Sequence, residues 1–265
     1  MQREMKKILL AFQFLTIVPI KDISEVTDAE VGSATIYFPV IGLLEGMLLS
    51  VLAFLFLKVF PGELTSGLLL FAMVVITGGL HLDGLSDTFD AVAARVDTDK
   101  KLAIMKDSTI GPAGVIAIVL VILLKYLLLN TMFFYSSIET YYTGLILLPV
   151  FSRCAMVWAI FHCKSARQSG LGKMFIEHTG LKELVIATGI TLLICFATFI
   201  VISDYPLLSF HLMFILPVLY FFSLSSVWFF NKHFGGMTGD SFGSVYEIAI
   251  LLFLISRIIW AQKFI

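Results

Sequence analysis

Asp83, Asp87 and Asp90 close the run T-G-G-L-H-L-D-G-L-S-D-T-F-D at residues 77–90, and they fall at i, i+4 and i+7. At 3.6 residues per turn this spacing places three carboxylates on one face of a helix. Like charges that close repel, so the arrangement makes most sense with something positive among them. A hard divalent cation such as Mg²⁺ takes oxygen ligands and usually shares them with substrate phosphates. The simpler reading of the same residues is a solvated acidic stretch at a helix end. His81, in the same run, is a candidate proton carrier, although a histidine at a helix end is more often a hydrogen-bonded cap.

Three further polar stretches carry related chemistry. In G-G-M-T-G-D, Gly235, Gly236 and Thr238 precede the carboxylate of Asp240. Glycines let a backbone approach a phosphate, and the helix that follows would favour anions at its N-terminus; an ordinary helix-to-helix turn would also use glycine. The segment K-D-S-T-I-G-P-A-G, residues 106–114, offers Asp107, Ser108 and Thr109 before an apolar run. Either hydroxyl is equally an N-cap. Residues 169–173, S-G-L-G-K, are basic and flexible enough to face a phosphate, as many cytoplasmic loops are.

The elements that position these residues follow from composition. The 265 residues are 59% hydrophobic and 14% charged, with a mean hydropathy of +0.98. Soluble domains lie nearer about 45–50% apolar and 25% charged, so this is an all-α integral membrane protein. We expect one transmembrane domain over residues 1–265, with no linker or internal repeat. The net charge of −1 argues neither for nor against nucleic acid, and no basic aromatic patch suggests it. Cys154, Cys163 and Cys195 lie in apolar runs without metal-ligand spacing and read as reduced core residues.

Apolar runs able to cross about 30 Å of hydrocarbon lie near residues 33–60, 64–80, 111–135, 140–163, 184–202, 206–230 and 243–260, giving about seven spans. Pro39, Gly42 and Gly46 in the first predict a kink or tilt. Residues 8–20 are apolar but too few to span; they follow Arg3, Lys6 and Lys7 and read as a short interfacial or re-entrant helix. The polar connections at 81–110, 164–183 and 231–242 alternate between spans, so all three emerge on one face. They hold nine Lys or Arg, from Arg95 to Lys232, and the tight turns hold none. The positive-inside rule therefore places them in the cytoplasm, in an inner membrane, with the active face inward. Lys58, Arg257 and Lys263 near the other face weaken that asymmetry.

Glu45, Lys125, Arg153, His211 and Glu247 stand inside the spans, where a charge costs about 2.5–3.5 kcal/mol. Arg153 and Glu247 either point into a cavity below the polar face or form structural ion pairs. Lys125 suits a carboxylate partner. Glu45 and His211 read as packing residues or helix–helix contacts.

Taken together, G-G-L-H-L-D-G-L-S-D-T-F-D, I-M-K-D-S-T-I-G and G-G-M-T-G-D-S-F-G with a following glutamate resemble the cobalamin synthase family over nearly the whole chain. Lys125, Arg153 and Glu247 also fall where that family carries such residues. Ile17 stands where members often have arginine, and Ala91 where they often have glycine. The resemblance implies transfer of α-ribazole, or its 5′-phosphate, onto adenosylcobinamide-GDP with release of GMP, and Mg²⁺ as cofactor. On that footing Asp83 and Asp87 are metal ligands. Asp90 either completes the metal set or acts as base. Asp107, Ser108, Arg153, Gly235, Gly236, Thr238, Asp240 and Glu247 are substrate-binding candidates. The expected partners are these small molecules and the lipid bilayer, and self-association into a homo-oligomer stays open.

Two other functions fit less well. A CDP-alcohol phosphotransferase needs D-x-x-D-G-x-x-A-R and a downstream glycine–aspartate run, whereas here Gly84 directly follows the first aspartate. A cation transporter would place its charges near the midplane of repeated, broken helices.

Overall fold

The computed structural model describes residues 2–20, 26–201 and 206–264. The side chains of Arg3, His211 and Lys263 fall outside the described residues. The chain runs through α1 (Gln2–Leu15), α2 (Asp28–Ser33), a 3-10 turn (Ala34–Tyr37) and α3 (Phe38–Phe56). Next come α4 (Gly62–Thr77), α5 (Leu80–Ala93), α6 (Thr98–Ile104) and α7 (Pro112–Tyr135). The last five are α8 (Ile138–His162), α9 (Leu171–His178), α10 (Leu181–Val201), α11 (Pro206–Phe234) and α12 (Gly239–Phe264). Six units are long and apolar enough to cross a membrane, and the bent pair α4–α5 makes a seventh if counted as one span.

Helix α8 is the axis of the bundle. Its apolar window is 89% buried, against 28% for α7, α10 and α11, so those three present most of their surface outward. Helix α3 lies along α8 where Gly42 and Gly46 leave room for the backbone near Pro149 and Ile146. The irregularity expected in the first span sits at the 3-10 turn instead of at these residues. Pro39 is in the first turn of α3, where a missing N–H leaves no helical bond unmade. Helix α1 has the expected short form, 14 residues or about 21 Å, and buries Ala11 and Leu15.

The largest departure from the expected spans lies at residues 78–79. Helix α4 has 16 residues, about 24 Å, and stops short of position 80. Gly78 and Gly79 take φ of 62° and 73°, the left-handed region that other L-residues enter only at a cost. The chain turns there by 86° into α5. The stretch 81–110 is therefore mostly helical, because the polar residues that mark it as a connection lie on one face of α5 while Leu82, Leu85 and Ala91 on the other faces are buried. Likewise 164–183 contains α9, and 231–242 shrinks to residues 235–238 between α11 and α12.

Among the described residues, two pairs of intramembrane charges are matched. Arg153 Nη2 donates to Glu45 Oε2 at 3.2 Å and to the Leu15 carbonyl at 3.3 Å. Lys125 is ion-paired with Glu247 between α7 and α12. Arg257, also buried, donates to the Thr140 carbonyl and the Thr143 hydroxyl at 2.9 and 2.8 Å.

The double change Gly78→Ala/Gly79→Ala tests the turn. Each left-handed alanine costs about 1–2 kcal/mol, so the thermal midpoint of the detergent-purified protein should fall by several degrees. Gly189→Ala, where an added Cβ meets nothing within 4 Å, should not lower it. Equal midpoints for the two variants would refute the turn as the point of strain.

Candidate active site

The site begins with a helix crossing that only small residues allow. A Cβ on Gly84 of α5 would lie 2.6 Å from the Asp240 carbonyl of α12, and one on Gly243 would lie 2.9 Å from His81 Cα. Small residues at such a seam let two backbones meet. Hydroxyls complete it: Ser244 donates to Thr88 Oγ1 at 2.8 Å, and Thr88 donates to the Gly84 carbonyl at 2.8 Å. The contact draws the start of α12 against the middle of α5 and brings Asp240 beside the carboxylate face.

On that face Asp83 is exposed, and Asp87 and Asp90 are half-buried. Asp83, Asp90 and Asp240 are all close enough to Asp87 for their charges to act on it, with Arg167 offsetting them. Asp90 is the most constrained of the group. Its two oxygens accept the N–H groups of Gly111 and Gly114 at 2.7 and 2.8 Å, capping the N-terminus of α7, where a carboxylate also complements the helix dipole. Asp83 and Asp87 keep more freedom to face a ligand.

The other two polar connections are knitted together above α12. Met237 N–H donates to the Lys164 carbonyl at 2.8 Å and Ala166 N–H to the Met237 carbonyl at 3.0 Å, a single parallel bridge between Ser165 and Met237. Gly172 abuts Gly239, where a Cβ would lie 2.6 Å from the amide nitrogen. Thr238 and Ser241 cap the start of α12 reciprocally, amide to hydroxyl, at 3.2 and 3.3 Å. Thr238 Oγ1 also donates to Asp240 Oδ2 at 3.2 Å. Arg167 Nη2 donates to the same oxygen at 3.0 Å and to the Met105 carbonyl at 3.2 Å. Residues from 83, 167 and 240 thus share one face, as expected from the alternation of spans.

Asp107 and Ser108 sit nearby on the exposed rim. Asp107 Oδ1 accepts the amide and hydroxyl of Thr109 at 2.9 and 2.7 Å, which hold its carboxyl below the ordinary carboxylate range. A cleft of about 500 Å³ opens between α5, α6 and the start of α7, lined by Asp90, Asp107 and Thr109. Gly235 is exposed at the turn, whereas Gly236 and Thr238 are buried in the knit.

The remaining sequence candidates lie beneath the face. His81 is 2% exposed, its ring 4.4 Å from that of Tyr246, and its Nε2 meets Arg153 Nη1. A guanidinium only donates, so Nε2 is the acceptor and its lone pair is taken. Arg153 and Glu247 are 0% and 3% exposed and occupied by Glu45 and Lys125. The structure brings Asp83, Asp87, Asp90, Asp240 and Thr238 together and leaves His81, Arg153 and Glu247 as the support below. Sequence reasoning missed Arg167, whose partner lies 73 residues away, whereas Glu45 makes a helix–helix contact as expected, with Arg153 108 residues on. The only available signal for Arg167 was its place in a basic loop.

The donor chemistry suits a hard cation. Four carboxylates with one guanidinium leave excess negative charge. Among the described residues no three His, Cys, Asp or Glu side chains converge on a single metal position. Magnesium does not require such a cage, since it keeps several waters and is held by one or two carboxylates plus substrate phosphates; Asp83 and Asp87 are the pair free to provide them.

Comparison with known proteins identifies the relatives of the chain. Residues 7–258 match the family model described as cobalamin-5-phosphate synthase. The chain is 34% identical over 250 residues to a protein of Caldanaerobacter subterraneus named adenosylcobinamide-GDP ribazoletransferase, covering 94% of this chain and 96% of the relative. A protein of Acetivibrio thermocellus with the same name is 35% identical over 256 residues, covering 95% and 96%. One from Clostridium acetobutylicum is 34% identical over 254 residues, covering 95% of each. No solved structure matches the chain at a significant level.

Gly84→Ala tests the crossing. Its Cβ meets backbone, which cannot rotate away, so an overpacking cost of about 1–3 kcal/mol is expected, and Asp240 should shift from α5. Activity should fall at least tenfold together with a lower thermal midpoint. Normal values of both would show that the two helices do not meet here.

Proposed function

Because the chain belongs to the cobalamin-5-phosphate synthase family, we propose that the carboxylate face of α5 is where it joins adenosylcobinamide-GDP to α-ribazole. The protein is a multi-pass membrane transferase of corrinoid biosynthesis. The observation that carries the site is the meeting of Asp83, Asp87 and Asp240 with Arg167 on one face, from three segments far apart in the chain.

In the reaction, a ribose hydroxyl of the acceptor attacks the phosphorus that bears cobinamide. The new P–O bond forms as the bond to GMP breaks, and the hydroxyl proton is lost. With free α-ribazole the product is the cobalamin, and with its 5′-phosphate the cobalamin 5′-phosphate. Mg²⁺, when bound by Asp83 and Asp87, supplies positive charge for the phosphate of the leaving GMP. The chain's own residues orient the partners. Asp90 fixes α7 beside the site, Thr238 holds the Asp240 carboxylate, and Asp107 lines the cleft next to them. The nine basic residues of the three polar connections support a cytoplasmic orientation of this face.

The direct test is incubation of the detergent-purified protein with adenosylcobinamide-GDP, α-ribazole and Mg²⁺, measuring GMP and cobalamin. In the same assay Asp83→Asn should lower turnover by orders of magnitude. Its thermal midpoint should hold, because one charge is removed from a self-repelling group. Raised Mg²⁺ should recover part of the loss; near-normal turnover would sink the metal assignment.

Orientation has its own test. A cysteine at Lys173 should be protected from impermeant thiol reagents in intact cells, and one at Glu139 should react. Equal labelling from one side would contradict the inward-facing site.

A further inference from the structure

We infer that Arg167 is a binding residue for the diphosphate of the donor, a role that rests on the transferase reading above. A nucleotide diphosphate carries its negative charge into a face already occupied by Asp83, Asp87, Asp90 and Asp240. Such an anion needs a fixed cation there, and Arg167 is the one Lys or Arg found ion-paired with this group among the described residues. The neighbouring lysine of the same loop, Lys173, is taken by the Gln168 carbonyl at 3.0 Å and by Glu177 at 3.5 Å.

The guanidinium is held but not used up. Nη2 makes both of its observed bonds, to Asp240 and to the Met105 carbonyl. Nη1 takes no part in them, and the side chain is 24% exposed. A planar fork with donors to spare matches phosphate oxygens bidentately, which an ammonium does not. The backbone beneath is fixed too: the Ser165 hydroxyl donates to the Arg167 carbonyl at 2.8 Å and accepts its amide at 3.2 Å. Arg167 therefore stands ready at the carboxylate face in the free protein. Asp240 orients it, and its open edge remains for the diphosphate.

The test is calorimetric titration of the purified full-length protein with GDP in Mg²⁺ buffer, alongside steady-state kinetics. Arg167→Ala should weaken GDP binding at least tenfold. Arg167→Lys, which keeps the charge without the fork, should fall between it and the parent. The KM for adenosylcobinamide-GDP should rise in both variants while the KM for α-ribazole stays constant. Unchanged GDP affinity in Arg167→Ala, or an equal rise of both KM values, would overturn the assignment and leave Arg167 as a structural tie to Asp240. If Arg167→Ala does not fold, Arg167→Lys alone decides by the same two readings. Failure of the parent protein to release GMP would instead refute the transferase reading, whatever the variants do with GDP.

Discussion

Buried charge must be matched inside an apolar bundle, and the rest of this structure is arranged around that requirement. Arg153 is the point where it is met. Its guanidinium binds Glu45 of α3, the Leu15 carbonyl of α1 and His81 of α5. It also lies 4.1 Å from the ring of Tyr246 of α12, whose hydroxyl donates to Glu45 at 3.0 Å. Removing one partner of such a pair leaves an uncompensated charge at a cost of about 3–5 kcal/mol. Five helices are therefore tied at one depth, and the first turn of α5 is one of the tied parts. Lys125 and Glu247 repeat the arrangement between α7 and α12.

The carboxylate face is built on that floor. Because His81 is anchored, the carboxylates two, six and nine residues later project from a helix with a fixed origin. The Gly84 and Gly243 crossing then sets how near Asp240 comes, and the Lys164–Met237 knit sets where Arg167 stands. Helix α5 has a second side. Opposite the carboxylates, Thr88, Phe89 and Val92 join Phe222, Phe229 and Ile248 in an apolar cleft of about 420 Å³. One helix thus separates an acidic surface from an apolar one.

Much of this was legible in the chain. Composition marks the membrane, and the i, i+4, i+7 aspartates mark α5 and its carboxylate side, because both properties repeat along the backbone and need no distant partner. The three polar motifs carry the family resemblance for the same reason. The turn at Gly78 and Gly79 was not legible as a turn. A hydropathy window sees polarity rather than direction, so a helix bent by 86° with a polar face reads as the end of a span and the start of a loop.

The site residues divide along the same line. Asp83, Asp87 and Asp240 were found by type and spacing, and their shared face followed from alternation of the spans. Below it lie His81, against Arg153 and Tyr246, and Arg153 and Glu247, in the structural ion pairs that were one of their two expected roles; Arg167 carries no signal in the sequence beyond its basic loop. A charge in a membrane span signals only that a partner exists. Whether that partner is a ligand or another helix depends on contacts across 72 to 122 residues of chain, the last from Lys125 to Glu247. The sequence by itself determined which groups could bear the chemistry; helix packing alone decided which face water, because burial is a property of the assembled bundle.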